Sequence, residues 1–215
     1  MMNLLRKELR LTMHPTMPLF LGLAAMILIP NYPYYVTFFY AGLAIFFTSL
    51  QGRENRDILY TMTLPVRRRD IVAARILFVM LYEVVLALLV IPFAILRATF
   101  PVPENQVGME ANVAFFGLSF VLMGIFNAVF FANYFRDIQK VGKSFLLASS
   151  AVWVFIGAAE VAAHAVPFVR DRLDTKDPQF IAEKLLVLAI GVVFFVLVTY
   201  LTYRSAAKSF EKLDL

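Results

Sequence analysis

The chain contains no cysteine. Disulfides, a thiolate nucleophile and cysteine-based metal sites are therefore excluded. Histidine is almost absent, with only His14 and His164. Charge is scarce as well: Asp, Glu, Lys and Arg make up 16% of 215 residues, against about 25% in average soluble domains. No G-x-S-x-G, H-E-x-x-H or paired-Asp pattern is present, which argues against an intramembrane protease or lipid transferase. Glu83, Glu160 and His164 alone are a poor catalytic set, so the chain reads as a non-enzyme. Metal binding by Glu160 and His164, four apart on one helix face, wants further ligands, and His14 falls at the other side of the membrane.

What fills the chain instead is apolar. It is 61% hydrophobic with a mean hydropathy of +0.76, and its few charges are clustered. These features define a polytopic membrane protein. The net charge of +5 would raise nucleic-acid binding in a soluble protein. Here no nucleic-acid motif accompanies it, and an excess of Lys and Arg in cytoplasmic loops accounts for it. Leu19–Ile29 has the length of a signal-peptide core. The Pro30-Asn31-Tyr32-Pro33 that follows is no small-residue cleavage site, so the segment is expected to stay as a first span.

The expected fold is all-α: one integral membrane domain over residues 1–215, with six transmembrane helices preceded by an interfacial amphipathic helix. In residues 1–13, Met1, Met2, Leu5, Leu9 and Met13 share one arc. Asn3, Arg6, Lys7 and Arg10 share the opposite one, as suits a helix lying at headgroup level. The spans are expected near Met17–Ile29, Tyr34–Leu50, Ile71–Leu96, Val113–Tyr134, Phe145–Val166 and Ile181–Tyr203. The first is marginal alone and must borrow residues from its flanks. With both termini inside, 15 of the 20 Lys and Arg residues fall in inner segments, which supports that orientation. The outer loops are then Thr99–Asn112 and Pro167–Phe180.

One charged island, Gln51–Asp70, interrupts the apolar runs. Asn55–Leu64 reads as a short helix, since Ile58 and Met62, and likewise Tyr60 and Leu64, stand four apart. Pro65 stops it, Arg67–Arg69 suit the headgroup region, and Asp70 suits the start of the third span. Residue chemistry alone leaves two readings open: a helix that presses into a cytoplasmic partner, or a solvated positive loop.

The run Leu64-Pro65-Val66-x-Arg68-x-Asp70-Ile71-Val72-x-x-Arg75, following a short helix from Asp57, resembles the small permeases of the ABC-2 type. These are membrane subunits of ATP-binding-cassette exporters, with an interfacial N-terminal helix, six spans and both termini inside. The resemblance covers essentially the whole chain. It implies that the 51–70 loop carries a coupling helix. By matched position, Arg56, Asp57, Ile58, Tyr60, Thr61, Leu64, Pro65 and Arg68 would contact the ATPase. It also implies a bacterial inner-membrane location, two copies of a separate ATPase and a second permease copy or paralogue. Where such sequences often carry Ser or Thr after Leu-Pro-Val, this chain has Arg67, which puts the local helix cap in question.

The chain itself is expected to bind no cofactor, with ATP and Mg held by the partner ATPase. Gly142-Lys143-Ser144 looks like the end of a phosphate-binding loop, but Asp137 stands where the first glycine belongs and no strand precedes it. An ATP-independent transporter or channel is the other reading; the lack of an inverted repeat argues against it. Glu83 lies about 18 Å along the third span from Ile71. It, Glu160 and His164 are candidate path-lining residues or packing groups. Asn127, Asn133 and Ser119 are expected to bond between helices.

Overall fold

A computed structural model describes residues 2–100 and 105–213. Met1 of the predicted apolar arc, and residues 101–104 of the loop Thr99–Asn112, lie outside the described residues. Among the described residues eight α-helices follow in order: α1 Met2–Lys7, α2 Thr16–Gly22, α3 Tyr35–Glu54, α4 Asp57–Met62, α5 Arg68–Thr99, α6 Val113–Tyr134, α7 Val141–Ala165 and α8 Ile181–Glu211. No strand occurs among the described residues. The chain is an all-α membrane protein.

The N-terminal segment is bent like an elbow. α1 continues as a π-helical turn over Glu8–Thr12, α2 continues as a 3₁₀ helix over Leu23–Leu28, and the two arms meet at 85°. His14 makes the corner. Its Nδ1 accepts the Thr16 backbone N–H at 3.1 Å, which satisfies one of the orphan donors at the start of α2. Met2 and Leu9 stay exposed, as an interfacial face requires, while Leu4, Glu8 and Thr12 turn inward at four-residue spacing.

The second arm is short. Seven α residues and six 3₁₀ residues reach about 22 Å, below the ~30 Å of a hydrocarbon core. Five other helices, α3 and α5 to α8, are long and apolar enough to cross, and the bent pair makes a sixth if taken as one span. The helices α5 and α8 overrun the predicted spans. The end of α8 beyond Tyr203 is held because Ala206, Ala207 and Phe210 are buried, with Phe210 edge-on to Phe135 at 5.6 Å.

Helix α6 is the hub, packed on α8, α7 and α3. Its approach to α8 is backbone on backbone. A Cβ at Gly117 would lie 2.6 Å from the Val187 carbonyl oxygen, and one at Gly191 would overlap the Gly117 carbonyl. Lipid tails give no hydrophobic drive between helices, so such close van der Waals contact is what holds them. Of the three predicted interhelical polar residues, Asn127 alone reaches another helix. Asn133 Nδ2 donates to Val129 O at 2.7 Å and Ser119 Oγ to Phe115 O at 2.8 Å, both in their own helix. The i−4 carbonyl is the nearest acceptor in an apolar setting.

The two ends of the bundle collect different segments. One end gathers the N-terminal helix, the 51–70 loop, the 135–140 turn and the C-terminus, through Lys7–Asp57, Arg53–Gln139 and Arg68–Leu213 contacts. The other gathers residues 29–34, 105–112 and 173–184, through Asn105–Tyr32, Glu110–Asp174 and Lys184–Asp177 contacts. The segments grouped by Lys and Arg counting as inner share the first end.

Candidate coupling surface

The polar centre of the α4 end is Arg75, two turns into α5. Its side chain is 2% exposed. A buried guanidinium is stable only when paired and hydrogen-bonded. Arg75 Nε meets Glu8 Oε2 at 2.7 Å, and Nη2 donates to Asp57 Oδ2 at 2.6 Å. Lys7 Nζ closes the set on Asp57 Oδ1 at 2.6 Å and Glu8 Oε1 at 3.1 Å. Thr12 Oγ1 donates to Asp57 Oδ2 at 3.4 Å. Two cations thus face two carboxylates from three elements, and α1, α4 and α5 are tied at one point.

Geometry upstream delivers Asp57 to this point. Arg56 takes a left-handed backbone, φ 51° and ψ 33°, which costs a non-glycine residue about 1–2 kcal/mol. That corner reverses the chain between α3 and α4 and turns α4 back under the bundle. Gly52 sits beside the guanidinium, where a Cβ would make ordinary contact at 3.6 Å from Arg75 Nη1.

The helix α4 is shorter than Asn55–Leu64 because Arg56 breaks the helical backbone before it and Pro65 lies just beyond it. Its residues divide by face. Ile58 and Thr61 are buried, Met62 is half-buried, and Thr61 Oγ1 donates to the Asp57 carbonyl at 2.7 Å. Tyr60 is 68% exposed and Leu64 42% exposed, with Arg56 and Pro65 also exposed. Between the N-terminal segment and α4 lies a cavity of about 220 Å³, walled by Leu11, Tyr60 and Leu64 and floored by Gln51 and Asp57.

Past Pro65, Arg67 occupies the position before α5 and makes no side-chain cap there, with Asp70 in the first turn instead. Arg68 Nη1 donates to the carbonyls of Glu211 at 3.1 Å and Leu213 at 2.8 Å, where the end of α8 exposes unpaired acceptors. The neighbouring turn is fastened by Arg53 to Gln139 O at 3.3 Å. There the hydrogen bond from Lys140 holds the Asp137 carboxyl below its usual range. Gly142-Lys143-Ser144 forms the first turn of α7, a helix rather than a phosphate-binding loop after a strand.

The three intramembrane candidates are placed apart. Glu83 is buried at the α5–α6 contact, accepting from Asn127 Nδ2 at 2.8 Å. Glu160 accepts the Met109 backbone N–H at 3.0 Å and so fastens the 105–112 loop to α7. His164 is exposed one turn further along. Sequence reasoning missed Glu8, Lys7 and Arg75 as a unit. The available signals were an arginine two turns inside an apolar helix and the Leu4-Glu8-Thr12 spacing.

Fold and charge distribution define a multi-pass helical membrane protein with a structured polar platform at one end. The chain matches the ABC-2 family transporter protein model over residues 3–211. It belongs to this family of transporter permeases, whose members typically work with an ATPase subunit. Comparisons with curated proteins and with solved structures return no match.

Proposed function

We propose that the chain is the permease subunit of an ATP-driven exporter in a bacterial inner membrane, with both termini cytoplasmic. Two such subunits, or this one and a paralogue, would pair with two copies of a separate ATPase that holds ATP and Mg. The cargo class is amphipathic or peptide-like, since recognition must come from apolar spans.

The observation that carries this reading is α4: a short helix fastened on its inner face and bare on its outer face. The expected contact set separates into two jobs. Arg56, Tyr60, Leu64 and Pro65 form the outward surface that meets the ATPase. Asp57, Ile58 and Thr61 hold the helix against the bundle, and Arg68 anchors the loop to the C-terminus. Motion of the ATPase then passes through α4 and the Arg75 cluster into α5 and α1 together. Glu83 serves as an interhelical packing acid and Glu160 as a loop anchor, with His164 left at the surface.

The test is copurification from the native operon in mild detergent. An ATP-binding-cassette ATPase should come with the wild-type chain and be lost from the Tyr60→Asp/Leu64→Asp variant without a change in melting temperature. Retention by the variant would remove the α4 outer face as the contact. Absence of any ATPase with the wild type would overturn the exporter reading.

A further inference from the structure

Apolar space opens beside α5 towards both ends of the bundle, and the charges at the two mouths differ. Away from α4, a groove of about 590 Å³ lies beside the Gly117–Gly191 contact, between α5, α6 and α8. The ions of that end are engaged inside the protein, Arg97 with Glu110 and Lys184 with Asp177. Towards the α4 end, a cleft of about 280 Å³ lies between α5 and α8. Its walls are Ala73, Ile76, Leu77 and Met80 of α5, with Val196 and Tyr200 of α8.

The cleft has the depth of one leaflet. Along α5, Arg69 and Met80 are about 16 Å apart at 1.5 Å per residue, against a ~30 Å hydrocarbon core. Tyr200 is exposed and Tyr203, also on the cleft wall, is half-buried, their rings 6.4 Å apart. Tyrosines mark the membrane–water interface, and neither hydroxyl has a hydrogen-bond partner among the described residues. Tyr200, Arg204 and Lys208 follow at four-residue spacing, so one row of α8 leads from the cleft wall to headgroup level. Arg204 and Lys208 are exposed, and neither has an ion pair among the described residues. The carboxylates of the same helix ends have other roles. Glu211 is held by Arg69, and Asp70 stands in the first turn of α5, where the helix N-terminus attracts it.

We propose that the α5–α8 cleft binds an anionic phospholipid of the leaflet on the α4 side, one acyl chain lying between the two helices. Hydrocarbon fills the apolar walls. The phenol hydroxyls of Tyr200 and Tyr203 donate to ester or phosphate oxygens, and Arg204 and Lys208 take the negative headgroup. Basic residues at headgroup level attract anionic lipids at about 1 kcal/mol each. A zwitterionic headgroup would bring an ammonium up to two cations that no ion pair neutralises. The free cations are what separate this cleft from the larger groove. The site goes beyond the exporter reading and needs no ATPase.

The experiment uses the full-length chain in mild detergent. Trp153 is the only tryptophan and packs on Phe39 of α3 at 5.2 Å. Trp153→Phe with Leu77→Trp therefore puts a single reporter on the cleft wall, at a side chain that is already exposed. Phosphatidylglycerol and phosphatidylcholine with brominated chains are titrated. Saturable quenching, tighter for phosphatidylglycerol, is the expected result. The wild-type chain, reporting from Trp153, should show no headgroup preference. Arg204→Gln should weaken phosphatidylglycerol binding roughly fivefold, the ratio that about 1 kcal/mol per surface cation corresponds to, and leave phosphatidylcholine unchanged. Tyr200→Phe should weaken both lipids alike. These positions are exposed, so melting should not move.

Quenching that rises without saturation overturns the proposal, as does equal affinity for the two headgroups or an unchanged preference in Arg204→Gln/Lys208→Gln. Excess glycerol 1-phosphate should leave the quenching in place; displacement by it would make this a site for a soluble anion and not for a lipid. A second copy of the chain is the rival occupant. Because no native cysteine interferes, Leu77→Cys reports it directly. Efficient crosslinking of two copies through that position would also overturn the lipid assignment.

Discussion

The two ends of this bundle solve the same problem, holding short irregular segments against long helices, with different chemistry. At the α4 end the holding groups are ions buried between helices: Arg75 with Glu8 and Asp57, and Lys7 beside them. At the opposite end the ion pairs Arg97–Glu110 and Lys184–Asp177 are joined by a larger set of holding groups that reach backbone. Asn112 spans two carbonyls, Glu110 and Val113 give their N–H groups to Asp174 and Asp177, and Asn105 Nδ2 donates to Tyr32 O at 3.0 Å. Loops carry unpaired backbone groups that must be satisfied, and an amide or carboxylate does that locally. A helix interior has satisfied its own backbone, so a polar tie to it must come from side chains. Charge is the stronger and more directional tie, but it fails as a whole when one member is removed.

That contrast can be broken first at Arg75. Arg75→Ala leaves Glu8 and Asp57 with Lys7 as the cation still on both carboxylates, and removal of one partner of a buried pair costs about 3–5 kcal/mol. A large drop in melting temperature is expected, with α1 and α4 becoming protease-sensitive together. Cleavage confined to one of them would show that the cluster does not join them. At the opposite end, Asn112→Ala removes a helix cap and two carbonyl contacts. A loss of about 1–3 kcal/mol follows, with cleavage in 105–112 or 173–180 and none near α4. Spread of cleavage to α4 would mean that the ends are not independent.

Smaller effects sharpen the same picture. Tyr60→Asp/Leu64→Asp changes exposed side chains only, and stability should move by no more than about 0.5 kcal/mol. A larger loss would show that the α4 outer face is packed rather than bare. The smallest effect belongs to Glu211→Gln, which removes the exposed ion pair with Arg69. Such pairs are screened by water and salt, so no shift in melting temperature is expected at ordinary ionic strength.

Much of the fold was legible because apolar length is a local property. Spans beginning near Val113 and Ile181 need no knowledge of neighbours, and Asp70 and Pro65 punctuate the chain where they stand. The α4 platform was legible only as a location. Asp57 reads as surface charge in sequence, yet it turns inward as a counter-ion. Arg75 reads as one more inner-side cation, yet it is buried against Glu8. Asn133 and Ser119 read as bridges and serve their own helix. In each case the partner's identity depends on which helices meet, and no periodicity encodes that.

The sequence by itself determined that this chain crosses a membrane several times, which segments sit together at the basic end, and that a short helix ending at Pro65 interrupts the spans. Hydropathy and proline act within a few residues, so these follow from order alone. Tertiary structure decided that the helix has a fastened face and a bare one, that Glu8 reaches across to Arg75, and that a groove opens beside the Gly117–Gly191 contact. Those depend on packing between distant elements, where burial converts a charge from a solvated group into one that must find a partner.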